Sequence, residues 1–364
     1  SRIASPEARK TMDGYKNWSL WDKDDISRMV RALPSDVAQR IVDTHFPGWR
    51  KAFLDIDEPS PWLSPDEFFR PLINRGRLFN HGWSFVGRQK QLDALTGFAK
   101  QHDSRALVVN GRGGIGKSRL LRAAGDEILK DGKVVFLSTT TELTPKDFER
   151  LPVGKAVLVV DDAHDRADLL GVLGGVARFR PDMLVIISTR PYGLTRIKDE
   201  LTRSGFGYEP DSTITLSDLR EEDAESLSSE IMKEVSGDTS HAKRIAHITK
   251  DCPLATVVGS RLVAEGRILP QVLNNSEDFQ NELLRSFRNI VAGEIDGKNP
   301  EAVRDLLDFI AMVQPVEPND PNFQEVAAKV LGRRFDKINR DMGALEDAGV
   351  LLRRGRKLRI APDL

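Results

Sequence analysis

The feature that most constrains the fold is an apolar run that leads directly into a glycine-rich loop. Residues 106–110 read Ala-Leu-Val-Val-Asn, and residues 111–118 follow the pattern Gly-x-x-x-x-Gly-Lys-Ser. Glycine tolerates backbone conformations that a Cβ disfavours, so successive N–H groups of such a loop can turn inward around an anion. Residues 119–129 continue as a helical pattern. The order therefore predicts a strand, an anion-binding loop and a helix whose dipole favours the anion.

This spacing is that of the P-loop, which cradles the phosphates of a nucleoside triphosphate. Lys117 would reach the β- and γ-phosphates, and the hydroxyl of Ser118 would bind Mg²⁺. A glycine-rich turn without a ligand is the alternative, but strand, spacing and helix agree on the P-loop. The predicted nucleotide-binding residues of the loop and the first helical turn are Gly111, Gly113, Gly114, Ile115, Gly116, Lys117, Ser118 and Arg119.

Length and composition limit the remaining possibilities. The chain has 364 residues, too many for one core, and its net charge of −1 provides no global attraction to nucleic acid or an anionic membrane. The single cysteine, Cys252, excludes an internal disulfide and fits a cytoplasmic protein. We find no apolar run of membrane-spanning length and no signal-peptide pattern. Because the chain begins without Met and ends just after a strand-like segment, we expect it to be part of a longer protein.

The pattern of the chain predicts an α/β fold, a P-loop NTPase parallel sheet with a flanking helical domain and a C-terminal winged helix. Residues 1–80 read as a helical linker rich in tryptophan. Strands and helices alternate over residues 81–216, which we assign to the nucleotide-binding domain. Residues 217–298 read as a helical lid, and residues 299–364 as three helices followed by a β-hairpin, the order of a winged helix.

Individual elements follow from apolar runs and helical periodicity. The candidate strands of the sheet are residues 106–110, 134–138, 156–160, 183–188 and 213–216. The candidate lid helices are residues 217–231, 242–264 and 276–291.

A second acidic strand end supplies what a P-loop needs for Mg²⁺ and water. The strand Val-Leu-Val-Val over residues 157–160 runs into Asp161 and Asp162. Asp161 would accept from the water shell of the metal, and Asp162 would polarise the attacking water. The alternative is a pair of carboxylates that cap the next helix. His164 follows closely, and we interpret it as a loop histidine because no second His or Cys stands at zinc-ligand spacing.

The next strand ends in Ser188, Thr189 and Arg190. If the strand order is that of the additional-strand P-loop ATPases, this strand end lies beside the γ-phosphate, and the guanidinium of Arg190 can report whether that phosphate is present. The alternative is that Arg190 caps carbonyls or pairs with a surface acid. Lys117, Asp162 and Arg190 are the predicted catalytic residues, and Ser118 and Asp161 the predicted metal ligands.

Taken with Phe-Val-Gly-Arg-Gln over residues 85–89 and Cys-Pro-Leu-Ala over residues 252–255, these elements resemble the STAND class of P-loop ATPases, in particular the NB-ARC or AP-ATPase type. The resemblance covers roughly residues 83–364. It implies that the segment Val86, Gly87 and Arg88 lines the adenine site and that Pro253 packs near the base.

The resemblance also implies that Ser188, Thr189 and Arg190 read the γ-phosphate. The absence of an Asn-Lys-x-Asp sequence agrees with adenine over guanine. The chain departs from the family pattern at Gln89, where glutamate is usual, at Cys252, where glycine is common, and at residues 361–364. There Ala-Pro-Asp-Leu stands where the family has Met-His-Asp-Leu, and a proline can donate from neither side chain nor backbone N–H.

The function implied is an ATP-binding and ATP-hydrolysing switch that uses Mg²⁺, holds ATP or ADP and assembles into a homo-oligomer on activation. Residues 18–27 and 46–72 look similar to the linker that follows a nuclease-like effector in some bacterial antiviral STAND proteins. The resemblance therefore implies effector and sensor domains in the same full-length chain, and a foreign phage protein as the trigger.

Two other functions remain open. One is an AAA+-like initiator or loader ATPase whose winged helix binds DNA, and the other is a non-hydrolysing nucleotide-bound scaffold for oligomerisation. The turn at residues 353–357 is basic, but Asp341, Glu346 and Asp347 on the presumed recognition helix would repel phosphates. We therefore expect no DNA contact by this segment, and no membrane contact.

Overall fold

The structure is a computed structural model. It describes residues 10–11, 23–46, 49–56, 60–70, 82–100, 104–139, 143–207, 209–293, 299–347, 350–354 and 357–360. The chain divides into two compact units, Ser1–Pro61 and Trp62–Leu364.

The first unit is helical wherever the structure describes it at length. Its longer helices are α1 (Lys23–Arg31), α2 (Ser35–His45) and α3 (Arg50–Leu54). A small apolar cluster of Val30, Ala38, Val42 and Phe53 joins them. The hydroxyl of Ser27 donates to the carbonyl oxygen of Phe53 at 2.7 Å, which ties α1 to α3. The described helices of this unit agree with the predicted helical character, whereas the assignment of residues 1–80 to one linker region stays a prediction.

The described residues of the second unit contain a six-stranded sheet in the order β1-β3-β4-β5-β2-β6. Its strands are β1 (Trp62–Leu63), β2 (Ala106–Asn110), β3 (Val134–Leu137), β4 (Val157–Val160), β5 (Leu184–Thr189) and β6 (Thr213–Thr215). The strands β2 to β6 are parallel to their neighbours, and β1 pairs antiparallel with β3 at the edge. The order places β5 between β2 and β4, as in the additional-strand P-loop ATPases. The predicted P-loop NTPase sheet is confirmed, and β1 is a strand that the sequence analysis missed.

Helices cover both faces of this sheet. They are α4 (Pro65–Phe69), α5 (Gln89–Lys100), α6 (Lys117–Asp131), α7 (Pro145–Glu149), α8 (Leu169–Phe179) and α9 (Leu194–Arg203). Successive side chains of a strand point to opposite faces, so Val108 and Val109 of β2 are buried in different apolar clusters. Burial on both faces explains why these strands read as continuous apolar runs rather than as alternating ones.

The flanking helical region consists of α10 (Glu221–Val235), α11 (Ala242–Thr249), α12 (Pro253–Ala264) and α13 (Ser276–Gly293). The periodicity predicts one helix over residues 242–264, and this prediction is wrong because the chain breaks at residues 250–252. Pro253 has no N–H and holds Cys252 in an extended conformation, with φ −138° and ψ 92°. The first lid helix also begins later than predicted, at Glu221 rather than at residue 217.

The C-terminal region contains α14 (Pro300–Val313), α15 (Pro321–Leu331), α16 (Phe335–Asp347) and the hairpin of β7 (Leu351–Arg354) and β8 (Lys357–Ile360). A short bridge between Val316 and Leu358 adds a third extended segment to the hairpin. The helices and hairpin follow the predicted order, while the winged-helix assignment and the domain boundaries stay predictions. Residues 361–364, where the family pattern departs, lie outside the described residues. No helix within the described ranges is long and apolar enough to cross a membrane.

Candidate functional site

The glycine-rich loop has the backbone that its sequence predicts. Gly114 and Gly116 have φ values of 68° and 99°, in the left-handed region that an L side chain rarely adopts. A Cβ on Gly114 would also lie only 2.6 Å from the sulfur of Cys252. Gly116 is the N-cap of α6, so the loop ends at the positive end of a helix dipole. Left-handed glycines thus form the turn that leads into the N-terminus of α6.

Lys117 is held at this loop, although it is only 6% exposed. Its Nζ donates to the carbonyl oxygens of Gly111 at 2.9 Å and Arg112 at 3.0 Å. Burial lowers the pKa of Lys117, and the carboxylates of Asp162 and Asp161 oppose this shift. A buried cation that faces neutral carbonyls is suited to a multiply charged anion.

The predicted metal ligands are in direct contact. The hydroxyl of Ser118 donates to Oδ2 of Asp161 at 2.7 Å, and the hydroxyl of Ser188 donates to Oδ1 of the same carboxylate at 2.5 Å. The strand order explains why Ser188 reaches Asp161, because β5 with Ser188 lies between the P-loop strand β2 and the strand β4 that precedes Asp161. A hydroxyl and a carboxylate are hard oxygen donors of the type that Mg²⁺ prefers, so these residues fit that ion.

Asp162 occupies a turn that aims the chain away from β4. Its φ of 49° is in the left-handed region, which aspartate adopts more readily than most residues. Its N–H donates to the hydroxyl of Ser188 at 2.8 Å. The charge of Asp162 raises the pKa of both Lys117 and Arg190, so its carboxylate lies within electrostatic reach of the cations of the site.

Arg190 follows the end of β5 directly beside the P-loop. The N–H of Gly111 donates to the carbonyl oxygen of Thr189 at 3.2 Å, and Thr189 pairs with Asn110 across the sheet. Burial lowers the pKa of Arg190, the charge of Arg359 lowers it further, and Asp162 raises it. The predicted neighbourhood of Thr189, Arg190 and the loop is therefore present, and the γ-phosphate contact stays a prediction.

His164 lies in a short helical turn, Ala163–Asp165, and its side chain is fully buried. His164 therefore lies in the connection after β4, as interpreted from the sequence, and its burial is what the sequence does not indicate. The ring packs edge-on against Tyr192, with 5.2 Å between ring centroids. Burial lowers the pKa of His164 from 6.5 to about 4, so the ring is neutral at neutral pH. Among the described residues no group of three or more His, Cys, Asp or Glu is arranged to hold a metal ion.

The segment that the resemblance assigns to the adenine site packs between the loop and the helical region. The guanidinium of Arg88 is buried and donates to the carbonyl oxygens of Ile115 and Ser217. Its side chain thus joins the P-loop to the chain that leaves β6, and its place at the adenine site stays a prediction. Val86 packs against the apolar side chains of the helical region, and a Cβ on Gly87 would lie 2.7 Å from the carboxylate of Asp223.

The start of α12 also contacts the P-loop. The N–H of Leu254 donates to the carbonyl oxygen of Gly114 at 3.3 Å, which places Pro253 next to the loop. Arg112 crosses in the other direction and donates to Asp218 at 2.6 Å and to the carbonyl oxygen of Asp251 at 2.7 Å. The sequence analysis did not assign Arg112. The flanking helices are therefore attached to the loop itself.

Arg119 turns away from the loop. Its guanidinium donates to the carbonyl oxygen of Trp83 at 3.1 Å and lies over the ring of Phe85, 5.3 Å from the centroid. It thereby fastens the segment before Val86 to helix α6.

Arg359 and Asp165 are site residues that the sequence analysis missed. Arg359 of β8 forms an ion pair with Asp165, which ends the turn after Asp161 and Asp162. The only sequence signal was an arginine between two apolar residues of a strand, Leu358 and Ile360, which predicts that it faces away from their core but does not name its partner.

No protein-family model and no curated protein matches this chain. Its structure is similar to that of the Orc1 protein of Aeropyrum pernix in complex with DNA, with 13% identity, 84% of this chain and 95% of that chain covered, and a TM-score of 0.44. It is also similar to a RuvB variant from Thermotoga maritima, with 20% identity, 76% and 93% coverage and a TM-score of 0.39. Domain III of the replication initiation protein DnaA from the same organism has 17% identity, 62% and 98% coverage and a TM-score of 0.40. The assignment of the site therefore rests on the geometry of this chain.

Proposed function

We propose that the chain is an ATP-binding and ATP-hydrolysing P-loop switch of the STAND type. The observation that carries this proposal is the contact between Ser118 of the P-loop and Asp161 at the end of β4, beside the buried ammonium of Lys117. A structural glycine-rich turn would have no use for a buried cation, a hydroxyl and a carboxylate at one helix N-terminus. A nucleoside triphosphate with Mg²⁺ uses each of them.

Each residue has a separate task in this proposal. The P-loop and Lys117 bind and orient the phosphates, and Ser118 and Asp161 would hold Mg²⁺, which supplies neutralisation of phosphate charge when it is bound. Asp162 orients the attacking water and accepts its hydrogen bond. Arg190 donates to the γ-phosphate, a contact that ADP cannot make.

The attachment of the flanking regions to the site supports a switch rather than a simple hydrolase. The helical region contacts the P-loop through Arg112 and Leu254, and the C-terminal hairpin contacts the turn after Asp162 through Arg359. A nucleotide that favours one arrangement of these contacts over another can shift the population of the two. In this proposal Val86, Gly87 and Pro253 line the adenine side.

The finer proposal is a cytoplasmic module of a bacterial antiviral protein that forms a homo-oligomer and activates an effector in the same chain when a phage protein triggers it. It rests on the STAND resemblance alone.

The rival proposal is a DNA-binding initiator, and the charges of the C-terminal region argue against it. Nε and Nη2 of Arg353 each donate to one carboxylate oxygen of Glu346 at 2.7 Å, and Arg333 pairs with the buried Asp341. Arg334 also pairs with a carboxylate of α16, Asp336. Arginines that already have carboxylate partners gain less from contacting DNA phosphates.

Calorimetric titration with ATP and Mg²⁺ tests the proposal. Lys117→Ala should abolish or strongly weaken binding, whereas Lys130→Ala, on the same helix but exposed and paired with Glu127, should bind like wild type. Equal binding by wild type and the Lys117 variant would refute the proposal. Binding without any turnover would favour the non-hydrolysing scaffold.

A further inference from the structure

The hairpin strand β8 presents its residues to two different parts of the molecule. Leu358 is 1% exposed within the apolar core of the helical and C-terminal regions, and Ile360 packs against the same core. Side chains alternate along a strand, so Arg359 between them points to the opposite side. That side faces the turn after β4, where Arg359 meets Asp165.

The position of Arg359 is well determined by its neighbours. Leu358 exchanges both backbone hydrogen bonds with Val316, at 2.7 and 2.8 Å. The N–H of Ile360 donates to the side-chain oxygen of Gln314 at 2.8 Å. These bonds hold β8 to the segment after α14, so the backbone of Arg359 moves only together with the hairpin.

The ion pair between Arg359 and Asp165 is buried, with side chains that are 11% and 8% exposed. Desolvation offsets much of the attraction in such a pair, so burial of this kind is weak evidence that the pair exists for stability. Because Asp165 stands only a few residues after Asp161 and Asp162, the pair joins the C-terminal hairpin to residues 161–165, which are the catalytic turn of the proposed function.

The charge of Arg359 also reaches the cations at the P-loop and at the end of β5. Its charge adds to burial in lowering the pKa of both Lys117 and Arg190. Lys117 comes from the P-loop, Arg190 from the end of β5 and Arg359 from the hairpin, so three separate parts of the chain bring positive charges within electrostatic reach of one another. Phosphate groups at the P-loop would relieve this repulsion and attract all of these cations.

We propose that Arg359 is a nucleotide-contacting residue supplied by the C-terminal hairpin, and that a phosphate of the bound nucleotide competes with Asp165 for its guanidinium. The inference rests on the proposed function, because it needs a nucleotide at the P-loop. It gives the switch its moving part. With Asp165 as partner the hairpin is held on the catalytic turn, and with phosphate as partner it follows the nucleotide.

Variants of the two partners distinguish this role from a structural ion pair, with calorimetric affinity for ATP and ADP in Mg²⁺ as the readout. Arg359→Ala should weaken binding of at least one nucleotide about ten-fold, because a charge-assisted hydrogen bond is lost. Asp165→Asn should leave that affinity unchanged or raise it a few-fold, because the competitor for Arg359 is weakened. Arg353→Ala, which removes a hairpin arginine paired with Glu346, should bind like wild type.

The inference is overturned if Arg359→Ala and Asp165→Asn change nucleotide affinity in the same direction, or if neither changes it, while both lower the free energy of unfolding. If Arg359→Ala does not fold, Asp165→Asn alone decides, since a loss of affinity there contradicts competition. A wild type that binds ATP no better than Lys117→Ala would instead refute the proposed function. A wild type that binds well, alongside an Arg359→Ala that binds equally well, would refute only the inference.

Discussion

The P-loop and the C-terminal hairpin each carry a cation, and the two cations lie within electrostatic reach of each other, but they are positioned by different means. Lys117 stands in a loop whose form follows from eight consecutive residues, and the helix that begins there directs it. Arg359 stands 194 positions beyond its partner Asp165 and reaches it only because the helical and C-terminal regions fold back on the sheet. The first placement is local, whereas the second depends on the arrangement of domains.

In the proposed switch, this difference separates the residues that bind nucleotide from the residues that couple its binding to a movement. A locally determined site persists as long as its strand, loop and helix are folded. A contact made between distant regions can open while both regions remain folded, which is the property that a switch requires. We therefore expect variants at the carboxyl ends of the central strands to affect hydrolysis. Variants at the hairpin should affect the coupling between nucleotide binding and hairpin movement.

Among variants at the carboxyl ends of the central strands, the largest effect is expected from Asp162→Asn. The amide keeps the shape of the side chain but cannot act as a base, so turnover should fall roughly 10²- to 10⁴-fold while ATP affinity is kept. Steady-state phosphate release and calorimetry on the same preparation measure the two quantities. If affinity falls as much as turnover, Asp162 acts in binding and its assigned role is incorrect.

Arg190→Ala should cost about ten- to a hundred-fold in ATP affinity and leave ADP affinity nearly unchanged. The reason is that a contact to the γ-phosphate exists only with ATP. Competition binding with the two nucleotides measures the ratio. An equal loss for both would place Arg190 on another phosphate or in the fold, and would bring its behaviour closer to that expected of Lys117.

The buried His164 should make the stability of the fold sensitive to acid. Its folded pKa of about 4 lies below its unfolded value of 6.5, so between these pH values the unfolded chain binds a proton that the folded chain does not. Stability should therefore fall as the pH drops through this window, by on the order of 1 to 3 kcal/mol. Asp162 and Asp165 favour the protonated ring, and Arg190 and Arg359 disfavour it.

Denaturant unfolding at several pH values checks this expectation. His164→Gln should lose less stability than wild type between pH 6.5 and 4, whereas His45→Gln, at an exposed position, should follow wild type. A wild-type slope that His164→Gln leaves unchanged would show that other groups cause the acid sensitivity.

The smallest effect is expected at the basic turn of the hairpin. Replacing Arg353, Arg354 and Arg356 with glutamate should leave the weak duplex-DNA affinity unchanged, because Arg353 already has a carboxylate partner. Arg356 lies outside the described residues. Fluorescence anisotropy at low and moderate salt measures the affinity, and strong salt-dependent binding by wild type would favour the initiator.

Much of the sheet could be predicted from the sequence, because each parallel strand is an apolar run buried on both faces. The two-residue strand at Trp62 and Leu63 could not, since it has no pattern of its own and exists by pairing with Leu137 and Phe136. The break before Pro253 was predictable in part. The proline indicates a helix start, but the helical periodicity continues on both sides of it and favours a single helix.

The site divides in the same way. The contact of Ser118 with Asp161 follows from two motifs, the P-loop and the strand that ends at Asp161. It also depends on a strand order with β5 between β2 and β4, which the γ-phosphate prediction for Arg190 already assumed. The tasks of Arg88 and Arg119 do not follow, because their partners are the carbonyl oxygens of Ile115, Ser217 and Trp83, and backbone carbonyls leave no trace in a sequence. Arg359 and Asp165 required the tertiary structure for the same reason.

The measurement that tests the central claim most directly is the Mg²⁺ dependence of ATP affinity in wild type and Asp161→Asn, with Asp131→Asn, at an exposed position on α6, as the control. If Ser118 and Asp161 form a Mg²⁺–nucleotide site, wild type and the Asp131 variant should bind ATP more tightly with Mg²⁺ than with a chelator. Asp161→Asn should lose most of that difference. An Asp161 variant with the full Mg²⁺ dependence of wild type would contradict the account.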